Sequence, residues 1–120
     1  MKVLIVDDSS TMRMLVKRTL RLAGFTDLQL VEAENGIEAL EVVASESPNL
    51  VLCDWNMPEM NGLEFLIELR DSGNDVQFGF VTTESTSDMR MKARGAGAQF
   101  LIAKPFTPES FEKALRPVLG

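Results

Sequence analysis

Five short apolar runs, each followed by a segment with helical apolar spacing, constrain this chain more than any other feature. A strand that reads as apolar without alternation is buried on both faces, as in a parallel sheet covered by helices. Val3-Leu4-Ile5-Val6 is the first run. The others are residues 28–31, Leu50-Val51-Leu52-Cys53, Phe78-Gly79-Phe80-Val81 and Phe100-Leu101-Ile102-Ala103. Between them, Met12, Leu15, Val16, Leu20 and Ala23 recur at the spacing of one helical face, and so do Ile37, Leu40, Val43 and Ala44. Leu63, Leu66, Ile67 and Arg70 mark a third helix, and Phe111, Leu115 and Val118 the inward face of a last one.

End signals agree with this division. Ser9 or Ser10 and Thr107 are candidate N-caps, Asn35 precedes the second helix, Pro108 suits a first helical position, and Gly24 suits a stop. Pro117 is expected to kink or end the last helix. The fourth helix, around residues 88–94, is the weakest. Only Met89, Met91 and Ala93 are apolar there, and Gly95 and Gly97 lower its propensity. It is expected to be the most mobile element. The alternation predicts one α/β domain over residues 1–120, a three-layer fold whose five-stranded parallel sheet carries helices on both faces.

A chain of 120 residues is the size of one domain and buries enough surface to need no staple. With one cysteine, Cys53, it has no internal disulfide and no cysteine cluster for zinc. Cys53 lies in an apolar run and reads as a small core residue. Histidine is absent, which removes imidazole acid–base catalysis and imidazole metal ligands. The net charge of −6 opposes binding to nucleic acid. The cations Arg13, Lys17, Arg18 and Arg21 fall in one helix and read as its solvated face. No run approaches the roughly 18 apolar residues of a membrane span, and the N-terminus lacks a secretory pattern. The expectation is a cytoplasmic protein.

The polar residues that end the strands carry the chemistry. Asp7 and Asp8 follow the first, Asp54 the third, Thr82 the fourth and Lys104 the fifth. Ligands of open parallel sheets bind at that edge, where strand order reverses. Three neighbouring carboxylates need compensation to stay ionised, and a lysine and a hard divalent cation supply it. Oxygen ligands without histidine suit Mg²⁺. A carboxylate can act as nucleophile toward phosphorus, with the cation and Lys104 offsetting charge on the phosphoryl group. Taken singly, each residue has a plainer role as a cap, a satisfied hydroxyl or a surface cation. Only the joint placement favours a site.

Asp7-Asp8-Ser9-Ser10, Asp54-Trp55-Asn56-Met57-Pro58, Thr82 and Lys104-Pro105-Phe106 resemble the signature of response-regulator receiver domains, above all the stand-alone chemotaxis regulators. The resemblance spans residues 1–120 and implies a flavodoxin-like sheet of order 2-1-3-4-5 with no output domain. It implies that Asp54 accepts a phosphoryl group from a sensor histidine kinase. Asp7, Asp8, Asp54 and the Asn56 carbonyl would serve Mg²⁺, Asp7 mostly through bound water. Lys104 would pair with Asp54, and Thr82 and Lys104 would contact the phosphoryl group. Asn56 and Glu84 occupy the positions that tune the hydrolytic water, which implies a short-lived phosphoryl group.

The switch would involve Thr82 and Leu101, where the family commonly has an aromatic residue at the second position. Phe100, beside it, points to the other face. The output surface would include Met89, Leu101 and Phe111. It would contact a protein target, a motor switch or another effector, with the chain monomeric. A phosphorelay intermediate or an adaptor receiver is the alternative. A haloacid-dehalogenase-type phosphatase would want two aspartates separated by one residue, and a cap. A flavodoxin-like electron carrier would place a flavin phosphate beside two acids, which repel it.

Overall fold

The computed structural model describes residues 1–119. Along them run β1 (Lys2–Val6), α1 (Ser10–Leu22), β2 (Gln29–Ala33), α2 (Gly36–Glu46), β3 (Leu50–Cys53), α3 (Gly62–Asp71), β4 (Gln77–Thr82), α4 (Ser87–Ala96), β5 (Phe100–Ala103) and α5 (Pro108–Leu119). The strands form one parallel sheet in the order β2-β1-β3-β4-β5, as the family resemblance implies.

Alternation along each strand divides the core in two. Val3, Ile5, Leu50, Leu52, Val81 and Ile102 pack with Val16 and Leu20 of α1 and Phe111 and Leu115 of α5. Leu4, Val6, Val51, Cys53, Phe78 and Phe80 face the layer of α2, α3 and α4. Cys53 is fully buried in that second cluster, as expected. Leu101 packs on the α4 side and Phe100 on the other, also as expected. The Phe100 ring lies so close over β4 that a Cβ at Gly79 would meet it at 1.9 Å.

Helix starts follow the cap chemistry. Ser9, Asn35 and Asn61 accept the amides of Met12, Glu38 and Glu64, and Asn61 and Glu64 form a reciprocal capping box. The Thr107 hydroxyl likewise accepts the Ser110 amide. Several expectations need correction. β2 begins at Gln29, and its burial is partial because it is an edge strand. Leu28 precedes it. Leu15, Ile37, Ala44, Ile67 and Met91 are exposed, because the buried faces of their helices are centred on Val16, Ala39, Phe65 and Ala93. α4 is longer than expected and ends at Gly97, which adopts φ 107°. Pro117 lies within α5, which continues to Leu119.

Candidate functional site

β1 and β3 are adjacent, but the chain leaves β1 for β2 on one side and β3 for β4 on the other. The divergence opens a crevice at their carboxyl ends. Asp7 and Asp8 leave β1 there, and Asp54 leaves β3. Ligand oxygens of the three carboxylates lie within 4.8 Å of one another.

Each carboxylate is held differently. Asp7 is buried; its Oδ1 accepts the Ser9 amide at 2.9 Å and its Oδ2 accepts Lys104 Nζ at 3.1 Å. Asp54 Oδ1 accepts the Trp55 amide at 2.7 Å, and its Oδ2 stands 3.5 Å from Lys104 Nζ. Lys104 therefore lies between two aspartates and closer to Asp7, whereas its expected partner was Asp54. Asp8 is exposed and takes no part in these bonds. A hard cation fits this donor set, which is all oxygen, carries surplus negative charge and has one carboxylate open to solvent.

Burial raises the Asp54 carboxyl above its ordinary value of 3.8; Lys104 opposes the rise and the Asp7 charge adds to it. A carboxyl raised in the folded state favours folding below its unfolded pKa, and that contribution is lost as pH rises through the folded pKa. Asp54→Asn keeps an oxygen for the Trp55 amide and removes the charge. It is expected to gain about 1 kcal/mol in EDTA at pH 7.5, the scale of single stabilising substitutions. The gain should vanish toward pH 4 in urea titrations; a loss at pH 7.5 would contradict the account.

Thr82 ends β4 fully buried, and its hydroxyl accepts the Glu84 amide at 3.2 Å. The Lys104 amide donates to the Thr82 carbonyl at 2.9 Å, which ties the ends of β4 and β5 together. Asn56 Nδ2 donates to Glu84 Oε1 at 3.0 Å, so the two expected tuning residues meet. The Trp55 ring is buried against Phe80, with centroids 4.6 Å apart. Leu101 and Met89 are half-buried beside one another's elements. Phe111 is fully buried, because α5 presses it into the sheet, and it cannot belong to a contact surface.

Two contributors were not legible as such. The Ser9 amide orients Asp7, and Arg13, read as part of a solvated face, donates to the Asp7 carbonyl. Its second partner, Glu32, is 19 residues away on β2, so no local spacing signals it.

These features define an acidic crevice at the carboxyl edge of a doubly wound sheet, and residues 3–116 match the family model of the response regulator receiver domain. The chain belongs to that family, and so is a receiver domain of the two-component type. Among its relatives, the chemotaxis protein CheY1 of Helicobacter pylori is 42% identical over 123 residues, covering all of this chain and 98% of that protein. A chemotaxis protein CheY homolog of Campylobacter jejuni is 43% identical, covering all of this chain and 93% of that protein. The solved structure of Vibrio cholerae chemotaxis protein CheY4 superposes with a TM-score of 0.85 at 34% identity, covering 98% of this chain and 97% of that one.

Proposed function

We propose that this protein is a chemotaxis-like response regulator that takes a phosphoryl group on Asp54 from a histidine kinase in a Mg²⁺-dependent reaction. The observation that carries this reading is the convergence of three carboxylates within 4.8 Å, with Lys104 between two of them.

A carboxylate oxygen of Asp54 attacks phosphorus. The P–N bond to the donor imidazole breaks, its electron pair stays on nitrogen, and an acyl phosphate forms. Asp8, Asp54 and the Asn56 carbonyl would hold Mg²⁺, with Asp7 assisting, and the bound cation would offset charge on the transferring phosphoryl group. Lys104 leaves its shared position to meet the phosphoryl oxygens. The Thr82 hydroxyl accepts the Glu84 amide and turns its proton toward Asp54, so it can donate to the same oxygens. Asn56 and Glu84, already joined, govern the approach of the water that returns Asp54 to a carboxylate.

The output surface is the face of α4, β5 and α5, without Phe111. An open groove of about 620 Å³ lies there, lined by Leu101, Ala103, Pro105 and Val118 and edged by Arg90 and Lys113. Arg90 donates to the Leu101 carbonyl on the edge strand at 3.3 Å, so movement of β5 alters the groove. An acidic, apolar protein segment suits its chemistry.

Intact mass after incubation with a small phosphodonor and Mg²⁺ tests the reading. The expected result is one added phosphoryl group, absent in Asp54→Ala and in EDTA. Addition that persists in Asp54→Ala would defeat it. The decay of the added mass should change in Glu84→Ala; equal rates would remove Glu84 from the account. Hydrogen exchange at Met89 and Leu101 should also respond to phosphorylation. No response there would exclude this face.

A further inference from the structure

Asp8 is the one member of the acidic cluster whose carboxylate is open to solvent and free of the bonds that fix the other two. Its position therefore depends on its main chain. The peptide that joins Asp7 to Asp8 carries the Asp7 carbonyl, and Arg13 Nη1 donates to that oxygen at 2.5 Å. Arg13 Nε donates to Glu32 Oε1 at 2.8 Å, and Lys17 Nζ holds the other Glu32 oxygen at 2.5 Å. The guanidinium is largely buried, with 12% of the Arg13 side chain exposed.

We propose that Arg13 is a positioning residue for cation binding: fixed by Glu32 of β2, it pins the Asp7–Asp8 peptide and so aims the Asp8 carboxylate into the cluster. The inference rests on the Mg²⁺ reading above. It assigns a metal-site role to a residue of α1 and one of β2 that lie outside the strand-end signature.

Geometry requires arginine here. A fork of planar donors can serve a carbonyl and a carboxylate at once, whereas an ammonium is a point donor on a differently shaped stem. Lys17 and Arg13 hold the Glu32 carboxyl below its ordinary value, the Lys17 hydrogen bond most strongly, so the anchor stays charged at neutral pH. The alternative role for Arg13 is a bare positive charge beside the aspartates. The two roles predict opposite signs. Removing a nearby cation strengthens Mg²⁺ binding by simple electrostatics, while releasing a pinned ligand weakens it.

Titration of Trp55 fluorescence with Mg²⁺ in the whole chain separates them, with chemical denaturation as a folding control. Arg13→Ala is expected to bind Mg²⁺ about 10-fold more weakly, the lower end of what outer-shell partners contribute. Arg13→Lys keeps the charge and should also weaken binding. Lys17→Met removes a charge from the same trio without touching the Asp7 carbonyl, and its affinity should be unchanged or tighter. Unchanged or tighter binding in Arg13→Ala would overturn the proposal, and so would full affinity in Arg13→Lys. Failure of the wild type itself to bind Mg²⁺ would instead remove the reading beneath it. If Arg13→Ala does not fold, Arg13→Lys alone decides.

Discussion

Lys104→Met is expected to destabilise the metal-free protein by about 3 kcal/mol at pH 7.5, the lower end of the cost of removing one partner from a buried ion pair. Lys104 Nζ is the counter-charge for Asp7 at 3.1 Å and Asp54 at 3.5 Å, and the side chains of the two acids are only 6% and 12% exposed. Without it, two carboxylates and the nearby Asp8 share a crevice with no cation bonded to their carboxylate oxygens. The crevice is open on one side, which keeps the effect below that of a sealed pair.

The pH dependence has a definite sign. Burial already raises Asp54, and Lys104 is the largest influence opposing that rise. Its loss raises the carboxyl further, so the folded state of the variant binds a proton where the unfolded chain has released it. Stability relative to wild type should then recover as pH falls toward 4. Saturating Mg²⁺ should also narrow the gap, because the cation binds the folded variant and replaces the missing charge. Urea titrations at pH 7.5 and pH 5, in EDTA and in Mg²⁺, give all four comparisons. A deficit that ignores both pH and Mg²⁺ would mean that Lys104 contributes packing rather than charge. Phosphorylation of the variant should fail even with Mg²⁺ bound, because the phosphoryl oxygens lose their ammonium partner.

That dependence explains why the site was legible in the sequence while much around it was not. Interior parallel strands are buried on both faces, so β1 and β3 show themselves as apolar runs and mark where Asp7 and Asp54 must emerge; β5 is an edge strand and only partly buried, yet its run Phe100-Leu101-Ile102-Ala103 is unbroken and marks Lys104. Once strand order is known, convergence of these ends is a consequence of topology. β2 lies at the edge, with Gln29 and Glu32 exposed, so its run is broken and its limits were displaced. Helical spacing identifies a face only to within about one residue in each direction. Leu15 and Ile37 fit the expected stripes and yet are exposed, since the packing centres are one or two residues away. Phe111 shows the same limit from the other side: a large apolar residue suits a contact surface and a core equally well, and the sheet takes it. The Arg13–Glu32 link depends on α1 crossing over the end of β2, and no periodicity encodes it.

Gly62→Ala should be at least as damaging as the loss of Lys104, although the added group is a single methyl. A Cβ at Gly62 would stand 2.1 Å from the Asp54 carbonyl oxygen and 3.0 Å from the Phe80 ring. The nearer atom is main chain at the end of β3 and has no rotamer by which to yield. Either α3 moves outward, breaking the 2.8 Å bond from the Gly62 amide to the Trp55 carbonyl, or the Asp54 peptide is displaced. Overpacking of a fixed backbone typically costs 1–3 kcal/mol, and here about 3 kcal/mol or more is expected because the site is closed by backbone on one side and a buried ring on the other. Gly95→Ala supplies the contrast. Gly95 lies in α4 with nothing within 4 Å of its would-be Cβ, so alanine should stabilise by about 0.5–1 kcal/mol through helix propensity alone. Guanidinium midpoints of the two variants should therefore move in opposite directions. Mg²⁺ titration of whatever Gly62→Ala remains folded should show weakened binding, because Asp54 takes its position from the peptide that the methyl displaces. Equal midpoints for Gly62→Ala and wild type would mean that α3 can slide away from β3 at little cost, and the rigidity attributed to the Asp54 carboxylate would be lost with it.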